Sequence, residues 1–332
     1  MWDGIYRVIG RTIKRQEDIP LIINGVTMGN QESAKELADT FYPEDDTRGD
    51  NVRHKQIREA ADAVDEGSHD DTCDPPFTIE ELMWSVSSFN PKKAPGKDGL
   101  TADICLKSIS LNPAMFLAIV NKCLNLAYFP KKWKEAVVVV LRKPGKENYT
   151  HPKSYRPIGL LPVLGKVFEK MLIQRIKWHI TPKLSRRQYG FMPQRSTEDS
   201  LYDMMQLIKS KLKDKKLIVL ISLDIEGAFD NAWWLAIRCR LAESGCPINL
   251  RCLIDNYFED RTVSIRYAGA EHMKTTAKGT TLSSGFHAGL NRGSYILEPV
   301  DRPSITGTEQ KRGLLLGFRG RRGPDLLRGQ GT

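Results

Sequence analysis

The order of apolar periodicities predicts a mixed fold of helices and strands, α/β or α+β, and three runs in the 332-residue chain carry the prediction. An amphipathic run after residue 77 reads as helix. The β-branched run 136–141 (AVVVVL) reads as a strand, and a second strand-length run, 217–223 (LIVLISL), ends abruptly in Asp224. Apolar residues make up 40% of the chain, which at this length can build a core and excludes a chain unfolded throughout.

Taken in order, residues 1–76 read as an acidic, partly disordered connector with one or two short helices, because YPEDDTRGDN and VDEGSHDDTCDPP concentrate like charge and have little to bury. Thr78 with Glu81 three residues on is a capping box, and Ile79, Leu82, Met83 and Val86 keep helical spacing, so a helix is expected to about residue 89. NPKKAPGKDGLT is turn sequence. Residues 113–127 form a second helix with Phe116, Ile119, Val120, Cys123 and Leu124 on one face. The strand 136–141 runs into the basic turn RKPGKEN, and further helices are expected over 164–179, 198–213 and 232–243. Residues 279–332 hold 11 of the 26 glycines, with 8 basic and 4 acidic residues and no sustained period, so they read as an irregular tail.

Charge is distributed unevenly. Residues 1–80 hold 18 acidic and 9 basic side chains, whereas the other 252 hold 41 basic and 22 acidic, a field suited to a polyanion such as nucleic acid. No run approaches the roughly 18 apolar residues of a spanning helix, and the first residues lack an apolar export core, so no membrane partner and an intracellular location, nuclear or cytoplasmic, are expected. The six cysteines are too sparse for a disulfide scaffold; Cys246, Cys252 and His272 could be read as a metal cluster, but buried free thiols account for cysteines of this kind more simply. His151 and His179 read as surface or turn residues. One of Trp233 and Trp234, at a helix start, should be packed.

The chemistry centres on Asp224. A carboxylate directly after seven strand-forming residues is costly to bury without a cation, and strand-end oxygens suit Mg²⁺ when it also binds phosphates; capping of the following turn is the other reading. Arg142, Lys143 and Lys146 set cations on a tight turn, and Arg156 lies in a Pro-flanked extended segment, so both could clamp a triphosphate.

Five ordered blocks carry a resemblance: FNPKKAPGKDG (89–99), VVVVLRKPGK (137–146), SYRPIGLLPVLGKVFEK (154–170), QYGFMPQRSTEDSL (188–201) and LDIEGAFDNAWW (223–234). They resemble successive fingers and palm blocks of the reverse transcriptases of non-LTR (LINE-type) retrotransposons, and the Asp-Asn-Ala-Trp-Trp ending is similar to arthropod elements that insert into ribosomal RNA genes. The resemblance implies an α+β right-hand polymerase, here as fingers and a partial palm over residues 77–278 with irregular termini. It implies RNA-templated DNA synthesis by two Mg²⁺ ions from an RNA template, a DNA primer and deoxynucleoside triphosphates. By position Asp224 is similar to the family's first metal-binding aspartate, Phe229 to the bulky residue that excludes a ribose 2′-hydroxyl, and Lys143 and Arg156 to two cations that hold the triphosphate. Arg195, Ser196 and Thr197 resemble the template-facing block, where a helix start suits phosphate contact.

The sequence also departs from the family. After Gly279 the family continues with a Gln-Gly block and a hairpin displaying two adjacent aspartates, whereas this chain reads TTLSSGFHAGLNRGSYILEP and has Asp-Asp pairs only at 45–46 and 70–71. The expectation is a truncated copy, with residues 279–332 frameshifted or fused, no endonuclease for target cutting, and weak or absent polymerase activity. The alternative is a non-catalytic nucleic-acid-binding remnant.

Overall fold

The computed structural model describes residues 18–45, 47–66, 72–215, 218, 220 and 233–276, which divide between two units, one of residues up to 180 with 233–276 and one beginning at residue 181. In chain order the elements are β1 (Ile22–Ile23), β2 (Val26–Thr27), α1 (Asn30–Phe41), α2 (Val52–Glu66), α3 (Ile79–Ser87), α4 (Ala102–Leu111) and α5 (Pro113–Asn125). Then come β3 (Glu135–Arg142), β4 (Tyr155–Leu160), α6 (Val163–Ile180), α7 (Thr197–Lys213), α8 (Trp234–Glu243), α9 (Ile248–Phe258), β5 (Arg261–Tyr267) and β6 (Ala270–Thr276). The mixed helix-and-sheet character read from the sequence is that of the structure. The expected strand 217–223 and the tail 279–332 lie almost wholly outside the described residues.

In the first unit a four-stranded sheet runs in the order β4-β3-β5-β6, with β3 antiparallel to β4 and parallel to β5, and β6 returning antiparallel. Alternation along the strands sorts the side chains to two faces. Ala136, Val138, Tyr155, Val263, Ile265 and Tyr267 point to one of them, where Leu21, Ala34, Leu37, Ala38, Phe41 and Tyr42 complete a core. The registers Ala136↔Val263 and Val138↔Ile265 keep these rows in step.

This packing corrects the reading of residues 1–76 as a connector with little to bury. The net negative charge conceals a stripe at i, i+3, i+4 and i+7 on α1 that seats the helix on β5 and β6. Nor do the carboxylates of 43–50 simply repel: Asp45 and Asp50 converge on Arg58 of α2, at 2.6 and 2.5 Å. The guanidinium fork meets both carboxylates, and its hydrogen bond, followed by Coulomb attraction, more than offsets burial and holds the Asp50 carboxyl below the usual range.

Helices pack around an aromatic chain, in which Phe129 stacks on Phe168 at 4.9 Å and meets Tyr257 edge-on at 4.7 Å, with Trp133 and Phe77 also against Phe168. Arg175, with a side chain 2% exposed, ties residues 74–81 to α6. It donates to Asp74 Oδ2 (2.5 Å), Glu81 Oε2 (2.6 Å) and the carbonyls of Pro75 and Pro76 (3.0 Å each). His179, one turn on, meets the other Asp74 oxygen at 3.0 Å, so it belongs to this buried network and is not the simple surface residue expected.

Several bounds shift by one or two residues, and six elements were not expected. The helix after Thr78 ends at Ser87, and Met83 and Ile119 are exposed, because helical spacing locates an apolar stripe without fixing how much of its width is covered. The unexpected elements are β1, β2, α4, α9, β5 and β6. The β5–β6 hairpin turns at Ala268 and Gly269, at φ 51° and 79°, without the Asn-Gly or Asp-Gly signal of such turns. Of the two tryptophans at the start of α8, Trp234 is buried against Phe258, as the expectation of one packed residue required. Cys105, Cys123, Cys239 and Cys246 are buried, while Cys73 and Cys252 are exposed.

Candidate functional site

The β-branched run that makes β3 also sets the cations after it. Arg156 is exposed on β4 opposite Leu141, and opposed residues of an antiparallel pair project from the same face, here the one turned away from α1. Pairing continues past the end of β3, with the Lys143 N–H donating to the Ser154 carbonyl at 2.8 Å. Lys143 thus stands two positions along the ladder from Arg156 and at the same parity, about 7 Å of strand away. Its ammonium donates to the Lys153 carbonyl at 2.8 Å, across the mouth of the hairpin. Pro144 and Gly145, the latter at φ 73°, make the turn that leads the chain away. The structure therefore brings these two predicted residues to one end of one hairpin.

Acidic groups on that face already have partners. Glu135 is 2.8 Å from Lys97 and 3.0 Å from Lys132; the Lys97 bond outweighs burial in holding its carboxyl below the ordinary value. Glu271 lies 3.3 Å from Arg266 and accepts from the Ser264 hydroxyl, and that hydroxyl is the main cause of its depressed pKa. A polyphosphate approaching the β3–β4 end meets Lys143 and Arg156 with Glu135 and Glu271 already engaged, and with Glu147 exposed in the hairpin loop beyond them.

The loop 90–99, turn sequence and the first of the five blocks, reaches this sheet. A Cβ on Gly96 would sit 2.3 Å from the Pro162 nitrogen, so only glycine lets the loop press on the start of α6 and deliver Lys97 to Glu135. The Pro-Gly-Lys spelling at 95–97 was the available signal. Beneath the loop, Lys166 is pushed down to about 8 by burial and then by Lys93, while burial pushes Glu169, one turn along α6, up to about 8.

In the second unit, Arg195, Ser196 and Thr197 fall at the start of α7, as expected, but their donors are already engaged. Ser196 is the N-cap: its hydroxyl accepts from the Asp199 N–H (3.1 Å), and Asp199 Oδ2 accepts from the Ser196 N–H (2.7 Å). Arg195 donates to the carbonyls of Arg186 and Gln188, at 2.6 Å each. Glu198 and Asp199 add negative charge to the first turn, where a phosphate would have to approach. Ser196 thus caps α7 and Arg195 braces the preceding loop, with Thr197 exposed beside them.

Asp224 and Phe229 lie outside the described residues. Among those described, no three His, Cys, Asp or Glu side chains stand together as a metal site, so the ligand set for Mg²⁺ is not assembled by them.

Residues 141–298 match the family model described as reverse transcriptase (RNA-dependent DNA polymerase), a match that begins at the end of β3 and runs past residue 278. The chain is 27% identical over 264 residues to the probable RNA-directed DNA polymerase from transposon BS of Drosophila melanogaster, covering 77% of this chain and 29% of that protein. It is 31% identical over 195 residues to the RNA-directed DNA polymerase from mobile element jockey of the same fly, covering 58% and 21%. It is also 32% identical over 171 residues to the retrovirus-related Pol polyprotein from type-1 retrotransposable element R1 of Bradysia coprophila, covering 51% and 17%. The chain spans less than a third of the length of these curated relatives.

Proposed function

We propose that this chain, a relative of the reverse transcriptases of non-LTR retrotransposons, is the fingers and partial palm of an RNA-directed DNA polymerase whose Lys143 and Arg156 hold the triphosphate of the incoming deoxynucleotide. The observation that carries the reading is the register Leu141↔Arg156, continued by the bond from Lys143 to Ser154, at the place where the family match begins. Two basic side chains rooted at residues about 7 Å apart on one hairpin suit the phosphates of one ligand. Asp224 is the residue that would hold Mg²⁺, which supplies charge neutralisation on the phosphates when bound. Phe229 would stand against the sugar and exclude a 2′-hydroxyl, and an RNA template and a DNA primer are the partners, inside the cell. The similarity to the R1 element supports the type that inserts into ribosomal RNA genes.

The second reading, a nucleic-acid-binding remnant without catalysis, is favoured by one observation: Asp-Asp pairs occur only at 45–46 and 70–71, before any strand of the four-stranded sheet. For that reason weak or absent extension is expected from this chain alone. Primer extension on an RNA template with Mg²⁺, run beside a gel shift at several salt concentrations, separates the two. Extension that Asp224→Ala abolishes while binding persists supports the polymerase. A salt-sensitive shift with no extension supports the remnant, and no shift at low salt would refute both.

A further inference from the structure

We propose that Trp84, Phe89, Lys93 and Lys170 form a binding platform for single-stranded nucleic acid on the helical side of the first unit, separate from the β3–β4 hairpin. These residues come from the last turns of α3, the loop after it and the middle of α6. They alternate in kind. The Lys170 ammonium lies 4.8 Å from the Trp84 ring centroid and 5.9 Å from that of Phe89, and the Lys93 ammonium lies 4.8 Å from Phe89 on. Ring, cation, ring and cation thus follow one another in space.

The column is held in place. Ser88 at the end of α3 accepts from Lys170, and the hydroxyls of Ser87 and Ser88 both donate to the Trp84 carbonyl, at 3.0 and 2.9 Å. Gly96 anchors the loop carrying Lys93 against the start of α6. Trp84 remains 50% exposed although Lys170 sits over it, so ring surface is available for a ligand. A base stacks on such a ring irrespective of its sequence.

Single-stranded nucleic acid has this pattern of flat rings joined by anions, and the strong positive excess after residue 80 attracts it. An anionic membrane would use the lysines and the indole but would not require the rings and ammoniums to alternate. The assignment rests on side-chain chemistry and stands whether or not the chain polymerises.

The test is fluorescence anisotropy of a labelled 16-nucleotide single-stranded RNA with the full chain. Trp84→Ala should weaken binding about tenfold, Trp84→Phe should recover most of the loss, and Tyr128→Ala, an exposed aromatic that is not one of the four residues, should change nothing. Lys93→Gln and Lys170→Gln should each lower the slope of log affinity against log salt by about 0.7. Circular dichroism confirms folding, and the phenylalanine variant keeps the test valid if the alanine variant misfolds. Equal binding by parent, Trp84→Phe, Lys93→Gln and Lys170→Gln with an unchanged salt slope would overturn the proposal, as would vesicles of anionic lipid that quench tryptophan where RNA does not. RNA binding with these effects but no extension leaves the platform standing and favours the remnant over the polymerase; extension with unaltered binding by the variants overturns the platform and supports the polymerase.

Discussion

Replacing Arg175 with alanine should be among the most damaging single changes in the first unit. Its side chain is 2% exposed, and the substitution leaves the Asp74 and Glu81 carboxylates, 7% and 12% exposed, without the guanidinium that satisfies them. The Pro75 and Pro76 carbonyls lose a donor as well. Removing one partner of a buried ion pair costs about 3–5 kcal/mol, a large fraction of the 5–15 kcal/mol that typically separates folded from unfolded chains. Urea unfolding followed by tryptophan fluorescence measures the loss, and Arg175→Lys, which keeps a charge but not the planar fork, should fall between alanine and parent. The pH dependence gives a second reading. Burial would raise Glu81, but hydrogen bonds from Arg175 and from the Thr78 N–H, with the charge of Arg175, together hold its carboxyl below the ordinary 4.5. A depressed folded-state value favours the fold above about pH 4.5, and that contribution is lost as pH falls through the folded-state value. Without Arg175 the carboxyl should rise, so the variant should lose less stability on acidification than the parent. A cost below about 1 kcal/mol, or parallel acid profiles, would refute the role given to this residue.

Three other outcomes are expected. Lys143→Ala and Arg156→Ala should each weaken deoxynucleoside triphosphate binding about tenfold in a fluorescent-nucleotide titration, with the melting temperature little changed, since each costs a charge-assisted bond of about 1.4 kcal/mol. Ser196→Ala should cost about 1 kcal/mol through the lost cap, measured by thermal unfolding, while leaving oligonucleotide affinity unchanged; a large fall in affinity would restore the template role expected from the sequence. Gly96→Ala should destabilise by about 1–3 kcal/mol, because the new methyl meets the backbone at Leu161 and Pro162 and not a side chain that could swing away.

The elements most legible in the sequence were those whose ends are written locally. Thr78 with Glu81 spells one helix start, and Ala136 to Leu141 can hardly be anything but strand. The site was partly legible for the same reason, since Lys143 and Arg156 flank a single hairpin and their register follows from its geometry. What was not legible depends on distant partners. Nothing near α1 announces that Leu37 and Phe41 will meet Val263 and Ile265, and summed charge pointed the other way. At Ser196 the missed information was local: Asp199, three residues on, completes a capping box that competes with phosphate for the same donors. For Arg175 and His179 the sequence offers two basic residues four apart on a helix, and only the fold reveals Asp74 above both.

The sheet's closure has a consequence for biosynthesis. Gln31 in α1 donates to the Glu271 carbonyl, 240 residues away, and β3 finds its parallel neighbour only when β5 has emerged. On a ribosome α1 must therefore wait, its apolar stripe uncovered, until β5 and β6 are released. Such late, long-distance closure slows folding and lengthens the time during which the nascent chain needs a chaperone's shelter.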